Sequence, residues 1–122
     1  MIMVEVLLFL ALLQVKHWYI DFVNQSDAEV ASKGMYGSPH GVNHSVKHGI
    51  GTMVCAIAVC GWPWIVWAAL LGFIDAIAHY HIDWTKMNYG NRDIKTPQFW
   101  NHLGLDQMAH QFCYIGYAWL MT

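Results

Sequence analysis

An all-α fold, a four-helix up-down-up-down transmembrane bundle, is what this sequence predicts, and three observations predict it. His and Asp recur at i,i+4 spacing in His17–Asp21, His40–His44, His44–His48, Asp75–His79, His79–Asp83, His102–Asp106 and Asp106–His110. Scattering the 8 His and the Asp residues at random gives roughly one or two such pairs, and residues four apart share one helix face. Apolar residues make up 57% of the 122 positions and charged residues 11%, against about 25% charged in a soluble domain. Two Ser/Thr-Pro dipeptides, Ser38-Pro39 and Thr96-Pro97, mark helix starts, with the hydroxyl residue at the N-cap and Pro at the first helical position.

The elements follow in order within a single membrane domain, residues 1–122. Helix 1 covers about residues 2–23. Its N-terminal stretch is as apolar as a signal segment but lacks a basic flank and a small-residue cleavage site. It runs directly into His17 and Asp21, so it is read as a membrane span. The polar segment NQSDAEVASKGMYG reads as a loop. Helix 2, about 39–60, opens with His40, His44 and His48 and then turns apolar. Gly61-Trp62-Pro63 divides the uncharged run from Gly49 to Ile74 into two helices, because a span needs about 20 residues and each half then has that length. Helix 3, about 63–85, ends in DAIAHYHID. A second polar loop, KMNYGNRDIK, leads to helix 4, about 97–120, whose first half carries His102, Asp106 and His110.

This order has a geometric consequence. The polar stripes close helices 1 and 3 and open helices 2 and 4, so in an up-down-up-down bundle all four meet at one level. Lys16, Lys33, Lys47, Lys86, Arg92 and Lys95 all fall at that end, and the other end has no Lys or Arg. The positive-inside rule then predicts a multi-pass protein of the inner, cytoplasmic membrane with the His/Asp end on the cytoplasmic side. Trp18, Trp84 and Trp100 at one boundary, and Trp62, Trp64 and Trp119 at the other, read as two aromatic belts. The net charge of -2 is uninformative, but the absence of a basic patch and of RNP-like or zinc-finger spacing predicts no nucleic-acid partner. Cys55, Cys60 and Cys113 form no CxxC and predict neither disulfide nor thiolate site.

His and Asp in an apolar bundle are costly to bury unless they pair or bind metal. Imidazole and carboxylate together suit Zn, Fe or Mn. Eight or nine ligands are too many for one tetrahedral ion and suit two divalent ions. The predicted ligands are His17, Asp21, His44, His48, Asp75, His79, Asp106 and His110, with Asp83 the ninth. Gln25, Lys86 and Gln107 are the predicted partners of those ligands. His40 and His102 extend their stripes outward, and His81 lies off the stripe.

The strings HWYIDFVNQSD, HSVKH, DAIAHYHIDWTK and above all FWNHLGLDQMAHQ resemble an uncharacterised family of small integral-membrane proteins of bacteria and their phages, labelled as a domain of unknown function. The resemblance runs from about His17 to Tyr114, and its most specific part is the LGLDQ-x-x-H element. It implies a membrane protein and singles out His17, Asp21, Gln25, His44, His48, Asp75, His79, Asp83, Lys86, Asp106, Gln107 and His110. His40, His81 and His102 look like additions peculiar to this chain. The short chain also resembles the phage-encoded versions. No activity is implied.

The function expected is metal-dependent hydrolysis of a phospholipid or other lipid-like substrate at the inner membrane face, by a metal-activated water and a spare Asp or His as base. The alternatives are a di-iron membrane oxidoreductase and a non-enzymatic assembly or interaction protein whose metal pins the helices. An ion or proton pathway ranks last, since little beyond Glu5 and Thr52 is polar in the other half. The lipid bilayer is the expected partner, and homo- and hetero-oligomers both remain open.

Overall fold

The computed structural model describes residues 1–122 and is all-helical. Helix α1 (Met3–Trp18) continues into one π-helical turn, Tyr19–Val23. The short helix α2 (Asp27–Ser32) precedes α3 (Pro39–Cys60), and a 3₁₀ turn (Trp62–Trp64) joins α3 to α4 (Ile65–Tyr89). The last helix is α5 (Pro97–Leu120). There are thus five α-helices where four were expected. The fifth, α2, lies in the segment read as a loop. Ser26-Asp27-Ala28-Glu29 builds a capping box there, in which the Ser26 hydroxyl accepts from the Glu29 N–H and the Glu29 carboxylate accepts from the Ser26 N–H. Helix α4 also runs on past residue 85 to Tyr89.

The long helices start and stop for local reasons. Thr96 caps α5 by accepting from the Phe99 N–H, whereas Ser38 occupies the N-cap of α3 without a side-chain bond, and Pro39 alone sets the first turn. Gly61 ends α3 with φ +81°, a conformation that costs a residue with a Cβ. Pro63 sits in the 3₁₀ turn that follows.

The four long helices pack in a ring, α1 and α4 each lying against both α3 and α5. Directions alternate. The Met1 ammonium donates to the Met121 carbonyl at one end of the α1–α5 pair, and His17 meets Gln107 near the other. On α3 and α4, a Cβ at Gly49 would strike the Gly72 carbonyl, and one at Gly72 would strike the Gly49 carbonyl. The two backbones therefore touch.

The interior is divided along its length. Phe9, Leu13, Ala56, Ala68, Leu71, Tyr114 and Ala118 fill the end nearer Gly61. The other end is polar: His17, Asp21, His44, His48, Asp75, His79, Asp83, Asp106 and His110 are all buried. The surface is the reverse. On α3, Val42, Val46, Ile50 and Val54 face outward, as do Leu105, Met108, Phe112, Ile115 and Trp119 on α5. By length and composition two helical segments, Met3–Val23 and Trp62–Tyr89, are long and apolar enough to cross a membrane.

Helix α2 closes the polar end. Glu29 on it is 2% exposed and accepts from Lys47 at 2.7 Å and from the Asn43 amide at 2.9 Å. Burial pushes its carboxyl up, but the Lys47 ammonium, the Ser26 N–H and Asn43 outweigh that and hold it at about 2, below its ordinary 4.5. A carboxylate lowered by folding stabilises the fold above its unfolded value and loses that contribution as pH falls through its folded value. The melting temperature in detergent will therefore fall between pH 4.5 and about 2, and Glu29→Gln will show a smaller fall over the same window. Gly72→Ala will destabilise the protein by about 1–3 kcal/mol through forced separation of α3 and α4. Gly104→Ala, where a Cβ meets nothing within 4 Å, will leave the melting temperature unchanged or raise it.

Candidate metal centre

Each long helix contributes one inward stripe at i,i+4 spacing. From α1 and its π turn come His17 and Asp21, and from α3 come His44, His48 and Thr52. Helix α4 supplies Asp75, His79 and Asp83, and α5 supplies Asp106, His110 and Tyr114. Asp21 sits in the π turn, a distortion that often accompanies functional residues.

Three imidazoles from two helices converge on one oxygen. Asp21 Oδ1 lies 2.9 Å from His44 Nε2, 3.0 Å from His48 Nε2 and 3.6 Å from His79 Nε2. An oxygen has two lone pairs, so three ring nitrogens exceed what it can satisfy. The other oxygen, Oδ2, lies 3.1 Å from His17 Nε2. The rings of His48, His79 and His110 stack in a row, with centroids 3.5 Å and 4.1 Å apart. At the far end of the row His110 Nε2 lies 3.5 Å from Asp83 Oδ1 and 3.6 Å from Asp106 Oδ1.

Three sets of ligand atoms lie within 4.8 Å of one another: Asp21, His44, His48 and His79; Asp83, Asp106 and His110; and His17, His79 and His110, which links the other two. The first has four donors from three helices, and its three histidines are fully buried. The second has three donors and adjoins a cavity of about 430 Å³ that Asp106 lines.

The fit to a metal can be judged from the buried polar atoms left without hydrogen bonds. They include His79 Nε2, His110 Nε2, Asp106 Oδ1 and Asp83 Oδ1. These belong to the converging donors, and a buried polar group left unbonded costs about 1–3 kcal/mol. Imidazole nitrogen and carboxylate oxygen are the donors that Zn, Fe or Mn takes. The first set has the four-donor closed form of a structural site, and the second the three-donor form that leaves a position open. One departure is that His44 Nδ1 and His79 Nδ1 meet no acceptor, where a ligating histidine usually has one.

The groups around the donors account for most of the remaining polar atoms. Lys33 reaches Asp83 Oδ2 at 2.9 Å, and Lys86 donates to Asp106 Oδ2 at 2.9 Å. Gln107 donates to Asp106 Oδ2, and its carbonyl lies 3.0 Å from His17 Nε2. Gln25 donates to the Asp21 backbone carbonyl. Tyr114 Oη is 2.7 Å from His17 Nδ1.

Residues 8–122 match the family model DUF3307, described as a protein of unknown function. The chain belongs to the DUF3307 family. No curated protein and no solved structure matches it. The expected membership of an uncharacterised family thus holds, and the 8–122 match spans every buried His and Asp.

In this DUF3307 chain eight of the predicted ligands fall within the three sets, and Asp75 does not. Its Oδ2 instead accepts from Lys16 at 2.8 Å and from Thr52 at 2.6 Å, toward the apolar end. His40 and His81 are exposed, and His102 accepts from the Asn91 N–H, so none of these three joins a set. Sequence reasoning missed Lys16, Lys33, Thr52 and Tyr114. It counted both lysines among the boundary cations, yet their exposures are 8% and 7%. Thr52 and Tyr114 carried a visible signal, since they lie four residues beyond His48 and His110. The Lys16 stem runs past Gly51, where a Cβ would meet it at 2.6 Å.

Breaking the Lys16–Asp75 pair from one side will leave a buried charge. Lys16→Met is expected to cost about 3–5 kcal/mol, and the double variant Lys16→Met/Asp75→Leu will recover much of that. Unfolding in detergent, followed by circular dichroism, measures both.

Proposed function

We propose that this protein is a four-span membrane bundle whose polar interior binds two divalent metal ions and hydrolyses a lipid-like substrate at the cytoplasmic membrane surface. One observation carries the metal reading: buried donors from all four long helices converge, and many of them have no hydrogen-bond partner.

The membrane reading rests on the inverted distribution of polarity. Polar or charged side chains account for 15 of the 29 buried residues, while large apolar side chains line the outside. On α3 and α5 the polar residues His44, His48, Thr52, Asp106 and His110 point inward. The outward faces of these helices, Val42 to Val54 and Leu105 to Trp119, are what lipid would meet. Exposed Arg92 and Lys95 sit at the His/Asp end and support a cytoplasmic orientation.

Charge supports an anionic substrate. With the histidines neutral, as metal ligation requires, Asp21, Asp75, Asp83 and Asp106 are offset by Lys16, Lys33 and Lys86, which leaves one negative charge. Two divalent ions reverse it to three positive charges, an interior that attracts an anion. A bound divalent ion supplies Lewis acidity, which polarises an ester oxygen and acidifies water to a pKa of about 7. The chain supplies the rest. Lys86 and Gln107 fix Asp106 Oδ2 and keep that carboxylate at the cavity wall. Asp106 Oδ1, which carries no hydrogen bond, is left free to serve as the third donor of the open set. Lys86 also lines the cavity and offsets charge on the substrate.

The closed first set favours a second reading, in which metal only pins the helices. Elemental analysis of natively purified protein, with a lipid-phosphoesterase assay, separates the two. About two metal equivalents and turnover lost on chelation are expected, with Asp106→Ala reducing turnover by at least about 100-fold. His48→Ala is expected to lose metal from the first set. Metal bound without turnover would favour the structural reading, and turnover unchanged in Asp106→Ala would overturn the hydrolytic one.

A further inference from the structure

The seam between the end of α4 and the start of α5 holds two neighbouring cavities, of about 430 and 280 Å³. Lys86 and His102 line both. The larger has Asp106 in its wall, together with Ile82, Leu105 and Ala109 further along the same two helices. The smaller extends to Arg92 in the connecting segment.

We infer that this seam is the docking groove for an amphiphile with a phosphate headgroup, its phosphate held by Lys86, His102 and Arg92 and its chain laid along Ile82, Leu105 and Ala109. This rests on the reading of the centre as a hydrolase of a lipid-like substrate, and names that substrate's class and the residues that select it. The lining of the seam supports it. The cations are graded: Lys86 sits beside Asp106, and Arg92 lies outermost and is exposed. His102 is set as a donor. Its Nδ1 accepts from the Asn91 N–H at 2.7 Å, so the neutral ring carries its proton on Nε2.

The polarity of the groove matches an amphiphile along its length. Cationic and donor groups sit at the end near the connecting segment, where exposed Trp100 lies. The apolar residues follow toward the apolar half of the interior. A guanidinium presents a fork to phosphate oxygens, and a charged hydrogen bond is roughly twice as strong as a neutral one. Asp106 lies between the two ends of the groove, so a headgroup ester bond would rest beside the open donor set. His102 thereby gains a role outside the metal donors.

The test is calorimetric titration of the natively purified full chain, in nonionic detergent, with a short-chain phosphonate analogue of phosphatidate that cannot be hydrolysed. Inorganic phosphate and a diacylglycerol of the same chain length form the other arms, and metal content is measured on the same samples. The phosphonate lipid is expected to bind at least about tenfold more tightly than inorganic phosphate, a factor of ten being about 1.4 kcal/mol. The diacylglycerol is expected not to displace it. Arg92→Gln and His102→Gln should each weaken binding about tenfold with metal content unchanged. Ala109→Trp should abolish lipid binding while inorganic phosphate still binds. Unchanged lipid binding in Arg92→Gln and His102→Gln overturns the inference, as does inorganic phosphate binding as tightly as the lipid. Because the probe is not hydrolysed, binding in a metal-poor preparation would keep the groove and count against the centre, whereas a metal-loaded protein that ignores the probe would count against the groove alone.

Discussion

A carboxylate taken out of water costs several kcal/mol unless something charged or strongly polar meets it, and this chain encloses four aspartates. Asp21, Asp75, Asp83 and Asp106 are each at most 5% exposed. The arrangement of the helices answers that cost. Each carboxylate faces a lysine or a set of imidazoles carried by a different helix, so no single helix can be lifted out without stranding a charge. In this interior the ion pairs, rather than apolar side chains, fix the relative heights of the helices. The apolar core beyond them has only to fill space around Tyr114 and Phe9.

The two donor sets divide the centre unequally. The first is enclosed by α1, α3 and α4, with its histidines fully buried. The second lies at the α4–α5 boundary, beside a cavity. His79 and His110, stacked 4.1 Å apart, join them. An ion in the first set would hold helices together, and one in the second would meet whatever enters the seam. Structural and chemical duties thus need not compete for one position.

Much of this was legible in the sequence because a helix of fixed period converts spacing into a face. The stripes, the Pro and Gly boundaries and the end at which the stripes meet all followed from order and spacing. What was not legible depends on contacts between helices. Lys16 is next to His17 in the chain, and its burial is set by Gly51 on α3, which leaves room for the lysine stem. Lys33 turns inward because the capping box around Ser26 and Glu29 folds α2 over the polar end. Asp75 shares a stripe with His79, yet Thr52 and Lys16 draw its carboxylate toward the apolar half.

The contact of Gly49 with Gly72 bears on the order of assembly. Helices α3 and α4 are joined by a short turn and meet backbone to backbone, so they are the most local pair of long helices in the fold, and local contacts form first. That hairpin already carries His44, His48, His79 and Asp83. Asp21 arrives with α1, and Asp106 and His110 with α5, from the two extremes of the chain. A half-formed hairpin would present three imidazoles to any cation in its surroundings before the carboxylates that set the final geometry had docked. If the centre takes metal as proposed, capture during biogenesis would steer the later helices into place, and a scarcity of metal would be felt first as a failure of α1 and α5 to close.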